Sequence, residues 1–428
     1  MTFAPRPQND FLLFMRMYYD RCRALLPQIA AIAAKWTFED LIPGLSDFDV
    51  RLIFSDPMDV RQWIIASEAV GRVHTEMCRE FPEWARNLEH LPGVNLTVDE
   101  IRNPLFFYPE FQQWTFYDGK PEIIAKIQGA LRQISWSSRD ELYHLKKFAA
   151  FCGPYNREID QPINLGRFEG KYPLHSRYMH YFAPPVQAVM SLLHRRNIPG
   201  KLEALRMARL QLPNPHVIDC LFETLERHYE VPQDYQEPRL SQLERELEAY
   251  LQDAWAALEG HVTLVKHDAG NGCGEIRKKV TAVKGEPIPA FFECAKFGRL
   301  LKGRLQFYAQ TIPHFDSAWL IRNELGRAAA NFYHKPLSIY GQVRYGGQWS
   351  AAQVLERLRG KTLTDMECRD VMAFAHLAAQ PIPVGEERKR SQQAADGYDS
   401  VLTCLEKLGQ DLLQCLSPEN VGRNTGFS

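Results

Sequence analysis

Pro43-Gly44-Leu45-Ser46-Asp47-Phe48-Asp49-Val50-Arg51-Leu52-Ile53-Phe54 is the stretch whose reading decides the fold. Pro, Gly and Ser open it as a turn. Apolar and charged residues then alternate, with Phe48, Val50, Leu52 and Phe54 on one side and Asp47, Asp49 and Arg51 on the other. Successive strand side chains point to opposite faces. The stretch therefore reads as a strand whose apolar face is anchored in a core. Asp47 and Asp49 stand side by side at its start, a rigid pair of hard oxygen ligands suited to a divalent cation.

Working outward, residues 10 to 25 carry apolar groups at helical spacing, and Pro27 interrupts them. Ile29 to Trp36 is an alanine-rich apolar run that fits a continuing helix or a short buried strand equally well. After the central strand, Ser55-Asp56-Pro57 is a helix start, and a helix is expected from Met58 to Glu80. Val94 to Ile101, after the turn at Pro92-Gly93, reads as another strand, with Asn95, Thr97 and Asp99 on one face.

From Pro121 the pattern is helical, with helices expected at 121–134, 138–152, 175–195, 198–210, 214–229 and 239–259. Strands are expected at His261–Lys266 and Ile276–Val283 around a glycine-rich turn, Gly270 to Gly274. Helices return at 288–301, 316–329, 350–359, 363–379 and 395–416. Gly385 to Ala395 reads as a solvated linker, and Tyr340 to Gly347 as a loop or a turn between strands. The expected class is α+β and mostly helical: a small mixed-sheet region at 1–120, a helical region at 121–235, and a mainly helical region with a few strands at 236–428.

The chain has 428 residues, 45% of them hydrophobic and 24% charged, values of a soluble globular protein. Lys and Arg (51) balance Asp and Glu (52), which gives no support to bulk electrostatic binding of nucleic acid or an anionic membrane. Nine cysteines, without a C-x-x-C pair, read as reduced thiols. No transmembrane segment or signal peptide is evident, so a cytoplasmic location is expected.

The order of the first hundred residues is helix, possible strand, strand with Asp47 and Asp49, helix, strand with Asp99. This order, with Gly44-Leu45-Ser46-Asp47-Phe48-Asp49-Val50, resembles the catalytic part of the DNA polymerase beta-type nucleotidyltransferases. The resemblance implies a metal-dependent transfer of a nucleoside monophosphate from an NTP to an acceptor, with pyrophosphate release. It implies two Mg²⁺ ions on Asp47, Asp49 and Asp99, which would also be the catalytic carboxylates. It implies a nucleotide contact from Ser46, and Arg51, on the same face as the acidic pair, would touch phosphate or simply balance the carboxylates. The family's Gly-Ser is replaced by Lys35-Trp36-Thr37, so Lys35 and the Thr37 hydroxyl would meet the phosphates. Charge balance favours a small-molecule acceptor and leaves a nucleic acid open. The missing Gly-Ser motivates an alternative, a nucleotidyltransferase-like protein that binds without catalysing.

Other motifs are weaker. Tyr172 to Tyr181 reads as an aromatic helix start packed between regions, or less readily as a base pocket. His267, Asp268 and Cys273 lack a fourth metal ligand, and Cys294 lacks a histidine partner.

Overall fold

The computed structural model describes residues 8–35, 48–55, 57–84, 88, 91–152, 176–220, 222, 246, 249–313 and 315–416. It is an α+β chain, mostly helical, with a small mixed sheet near the N-terminus.

Helix α1, Gln8–Leu25, leads into β1, Ile29–Ala34. The alanine-rich run is thus a strand, and its place in the sheet explains why. The strand order is β3-β2-β1-β4, with β2 at Val50–Phe54, β3 at Asn95–Thr97 and β4 at Thr115–Gly119. β1 lies between β2 and β4 and is antiparallel to both. All six of its residues are buried, and its four alanines are small enough for a strand covered on both faces. Alanine prefers a helix, but six residues between two partners gain more from the ladder. β4 had no counterpart in the sequence reading.

β2 is parallel to β3. The central stretch is a strand as expected, but it is buried on both faces. Phe48, just before it, is packed by the rings of Phe11, Phe14 and Tyr18 at 5.8, 5.9 and 5.1 Å. On the opposite face Arg51 is buried as well. Helix α2, Val60–Glu80, begins two residues later than expected, capped by Asp59. Asp59 accepts from the Gln62 amide while the Gln62 side chain accepts from the Asp59 amide, which satisfies two orphan donors at once.

The third strand is shorter than its alternation suggests. β3 ends at Thr97, and Val98–Arg102 is a helix, α3. Thr97 caps it: its hydroxyl accepts from the Glu100 amide, and its own amide donates to the Glu100 carboxylate at 2.9 Å. Thr97-Val98-Asp99-Glu100 is a capping box, and it overrides the apparent period of two.

Two hydrophobic clusters organise the described residues. One joins the sheet and α1–α3 to helices between Pro287 and Cys415. The other is built from the middle of the chain, between Leu145 and Val280. The two ends of the chain therefore share one core. Its tightest seam is between α2 and the helix Leu301–Ala309. A Cβ on Gly71 would stand 2.7 Å from the Gly303 carbonyl oxygen, and one on Gly303 would overlap the Ser67 carbonyl. Only glycine permits that approach. The Gly303 amide donates to Ser67 Oγ at 2.9 Å across the seam.

Three further expectations are corrected. Residues 261–266 form no strand, and Cys273–Ala282 is a helix that follows the glycine-rich loop, so no hairpin exists there. Residues 340–345 end the helix Lys335–Tyr345. The supposed linker after Gly385 is the helix Glu387–Asp396; Ala394 and Ala395 at its end are buried in the core.

Candidate functional site

Three elements reach the same end of the sheet. Ala34, the last residue of β1, pairs with Val50, the first of β2, and with Thr115, the first of β4. Lys35 therefore follows β1, Asp49 precedes β2, and the 3-10 turn Pro109–Gln113 precedes β4, all at this end. The Lys35 amide reaches the Asp49 carbonyl at 3.5 Å.

The side chains form a chain of alternating charge. Arg51 Nη1 donates to Asp49 Oδ1 at 2.5 Å, and Nη2 and Nε donate to Glu110 Oε1 at 2.8 and 3.0 Å. Lys35 Nζ sits 3.0 Å from Glu110 Oε2, and the Trp114 indole donates to Oε1 at 3.1 Å. Arg51 and Glu110 are almost wholly buried, whereas Asp49 and Lys35 keep about a quarter of their side chains exposed. Burial alone would raise the Glu110 carboxyl, but Arg51 and Lys35 outweigh it and hold the group down at about 2. Burial opposes the charge on Arg51 and Lys35, and the facing carboxylates overcome it, so both are pushed above their ordinary ranges.

Lys35 also lines a cleft of about 670 Å³. Among the described residues, Arg139, Lys146, Lys147, Lys284 and Lys335 share that lining with only two carboxylates, Glu286 and Glu293, and with the rings of Tyr108 and Tyr143. Arg139 pairs with Glu286 at 2.7 Å, and Lys335 stands 3.8 Å from Glu293. Lys147 donates to Gln187 Oε1 at 2.6 Å. Burial pulls Lys146 and Lys147 below the usual lysine range. The surplus of cations in a concave, aromatic-edged space suits a phosphorylated ligand.

The expected site residues divide as follows. Lys35, Asp49 and Arg51 are brought together. Thr37, Ser46 and Asp47 lie outside the described residues. Asp99 is placed elsewhere. Phe54 pairs with Thr97, so Asp99 lies beyond the far end of β2, while Asp49 precedes its near end. Five residues of strand, roughly 16 Å, separate Asp49 from Phe54. Asp99 is exposed in the first turn of α3, and Arg102 pairs with it at 3.3 Å. Its neighbour Glu100 is clamped by two nitrogens of Arg299, each at 2.6 Å. Neither carboxylate joins Asp49.

Among the described residues no three His, Cys, Asp or Glu side chains are grouped to hold a metal ion. Among the described residues Asp49 is the expected ligand at the cleft end of the sheet, and Arg51 already holds it. Glu110 is the residue that sequence reading missed. It sits alone after a proline, without periodicity, and its importance comes from contacts across more than fifty positions.

The remaining motifs have structural roles or lie outside the description. Residues 172–175 are outside it, and of 176–181 the backbone helix alone is described. His267, half-buried, bonds the Trp255 carbonyl and stacks on its ring, so it is held against the core of the middle region. Cys294 donates to the Ala290 carbonyl, and burial pushes its thiol up to about 11, which leaves it unreactive. Among the described residues no helix is long and apolar enough to cross a membrane. No family model, curated protein or solved structure matches the chain.

Proposed function

We propose that the lysine-lined cleft holds the polyphosphate of an NTP and that the protein transfers its nucleoside monophosphate to an acceptor, releasing pyrophosphate. The observation that carries this reading is the position of Lys35. It lines the cleft and stands beside Asp49, so phosphates drawn in by the lysines meet the carboxylate end of the sheet. Lys35, Lys146 and Lys335 neutralise phosphate oxygens, and Arg51 fixes Asp49 in direction. Asp47 and Asp49 are the residues that would hold Mg²⁺, which when bound would stabilise charge on the attacking and leaving oxygens. Asp99 has no part in the site. The acceptor is a small molecule by preference. Nine free cysteines fit a reducing, cytoplasmic compartment.

A second reading is favoured by the Arg51–Asp49 ion pair: the cleft binds a nucleotide and the carboxylates serve only the fold. The two readings separate in one experiment. Each NTP is titrated by calorimetry with and without Mg²⁺, and pyrophosphate release is assayed with candidate acceptors for the parent, Asp47→Asn and Asp49→Asn. Release abolished by either change supports the transferase. Nucleotide binding that is indifferent to Mg²⁺ and to both changes, without release, supports the binding protein. Absence of NTP binding contradicts both.

A further inference from the structure

The 3-10 turn Pro109–Gln113 and the Tyr108 before it contribute Tyr108 and Pro109 to the lysine cleft, but Phe111 and Gln112 to a second depression of about 440 Å³. Arg132, Arg195 and Arg196 line this depression together with Trp114, Phe116 and Trp136, and among the described residues its lining includes no carboxylate. Arg132 and Arg195 form no ion pair among the described residues, and Arg196 reaches Glu203 only at 3.4 Å. Guanidinium planes and indole rings at a concave surface are the groups that recognise a flat ring carrying negative charge.

The frame of the depression is fixed by groups already spent. Gln112 Nε2 donates to the Leu131 and Ile134 carbonyls at 2.8 and 2.9 Å. Asn197 Nδ2 donates to Gln112 Oε1 and to Asp140 Oδ1 at 2.6 and 2.7 Å, and its Oδ1 meets His144 Nε2 at 2.6 Å. The Trp136 ring lies parallel to His144, 5.6 Å away. These contacts tie the turn, the end of α4 (Pro121–Arg132) and the loop after the helix Ser176–His194 into one rigid wall, so the aromatic groups are held in place before any ligand arrives.

Arg195 gives an independent sign. It ends the helix Ser176–His194 with a φ of 47°, one of two non-glycine residues with positive φ among those described. The Arg196 amide closes the helix on the Ser191 carbonyl at 3.2 Å. The residue in that left-handed position is ordinarily glycine. An exposed arginine there keeps a strained backbone while its side chain makes no bond within the described fold.

We propose that this depression is a second ligand site, for a small planar ring bearing a phosphate or carboxylate, with the ring against the tryptophans and the anion on the arginines. The proposal does not depend on nucleotidyl transfer. It is tested by calorimetry on the full chain with 5′-AMP and indole-3-acetate as the two ring-anion probes, and with adenosine and inorganic phosphate as ring-only and anion-only controls. Saturable binding of either probe, stronger than both controls, is expected, and the better probe shows whether phosphate or carboxylate is preferred. Arg195→Gly removes the guanidinium at a position where glycine is easier, so its thermal midpoint should be equal or higher while probe affinity falls about tenfold. Lys146→Ala, in the other cleft, should leave the part of the binding that Arg195→Gly removes unchanged. Failure of both probes to bind, equal binding of inorganic phosphate, or binding lost in Lys146→Ala and kept in Arg195→Gly would each overturn the assignment.

Discussion

Arg51 holds Asp49 and Glu110 at once: Nη1 lies 2.5 Å from Asp49 Oδ1, and Nη2 lies 2.8 Å from Glu110 Oε1. One guanidinium thus links the carboxylate at the start of β2 to the turn before β4. Arg51→Met should leave Glu110 as a buried anion with Lys35 as its remaining cation. Breaking a buried pair in this way costs about 3–5 kcal/mol. Denaturant unfolding should show the loss, and Asp49→Asn should cost far less, because Asp49 is partly exposed and Arg51 keeps Glu110.

The same network predicts a pH dependence. Glu110 titrates at about 2 in the folded chain and near 4.3 unfolded. The unfolded state therefore binds more protons between those values. The stabilisation from Glu110 is complete above the unfolded value and is lost as pH falls toward the folded one. Glu110→Gln should be markedly less stable than the parent at neutral pH, and the difference should close on acidification through that window. Denaturant midpoints across the acid range check it.

The Gly71–Gly303 approach predicts a large effect from one methyl group. Gly303→Ala would force backbone apart at the seam between α2 and the helix Leu301–Ala309. Overpacking of this kind costs about 1–3 kcal/mol, toward the upper end where backbone meets backbone. Gly326→Ala is the control, since nothing lies within 4 Å of its added Cβ. Thermal unfolding of the two variants should separate them clearly.

Affinity of the lysine cleft for polyphosphate should follow its charge. Lys146→Ala and Lys335→Ala should each weaken NTP binding by about 1–2 kcal/mol and reduce its salt sensitivity. Because burial lowers Lys146 and Lys147, affinity should also begin to fall with rising pH below the ordinary lysine range. Calorimetry at two ionic strengths and across the alkaline range reads both effects.

The sequence was legible where pattern and local chemistry agreed. Asp47 to Phe54 announced a strand by its alternation, and Ser55-Asp56-Pro57 with the apolar spacing after it announced α2, although the cap proved to be Asp59. At Thr97 to Glu100 two local signals conflicted, and the capping box, visible in the letters T-V-D-E, outranked the alternation that carried Asp99 into the expected site. β1 was undecidable locally because alanine carries little preference against a strand once neighbours bury it on both faces. Glu110 had no local signal at all. Its role arises because β1 ends where β2 and β4 begin, a consequence of sheet register that no short window contains.

The central claim is that the carboxylate end of the sheet acts on a nucleotide held in the lysine cleft. Its most direct measurement is Mg²⁺-dependent pyrophosphate release by the parent protein and by Asp49→Asn, with NTP affinity of both determined in the same buffer. Release by the parent is expected, with a loss of at least about a hundredfold in Asp49→Asn and NTP binding retained through the lysines. Undiminished release by Asp49→Asn would contradict the claim.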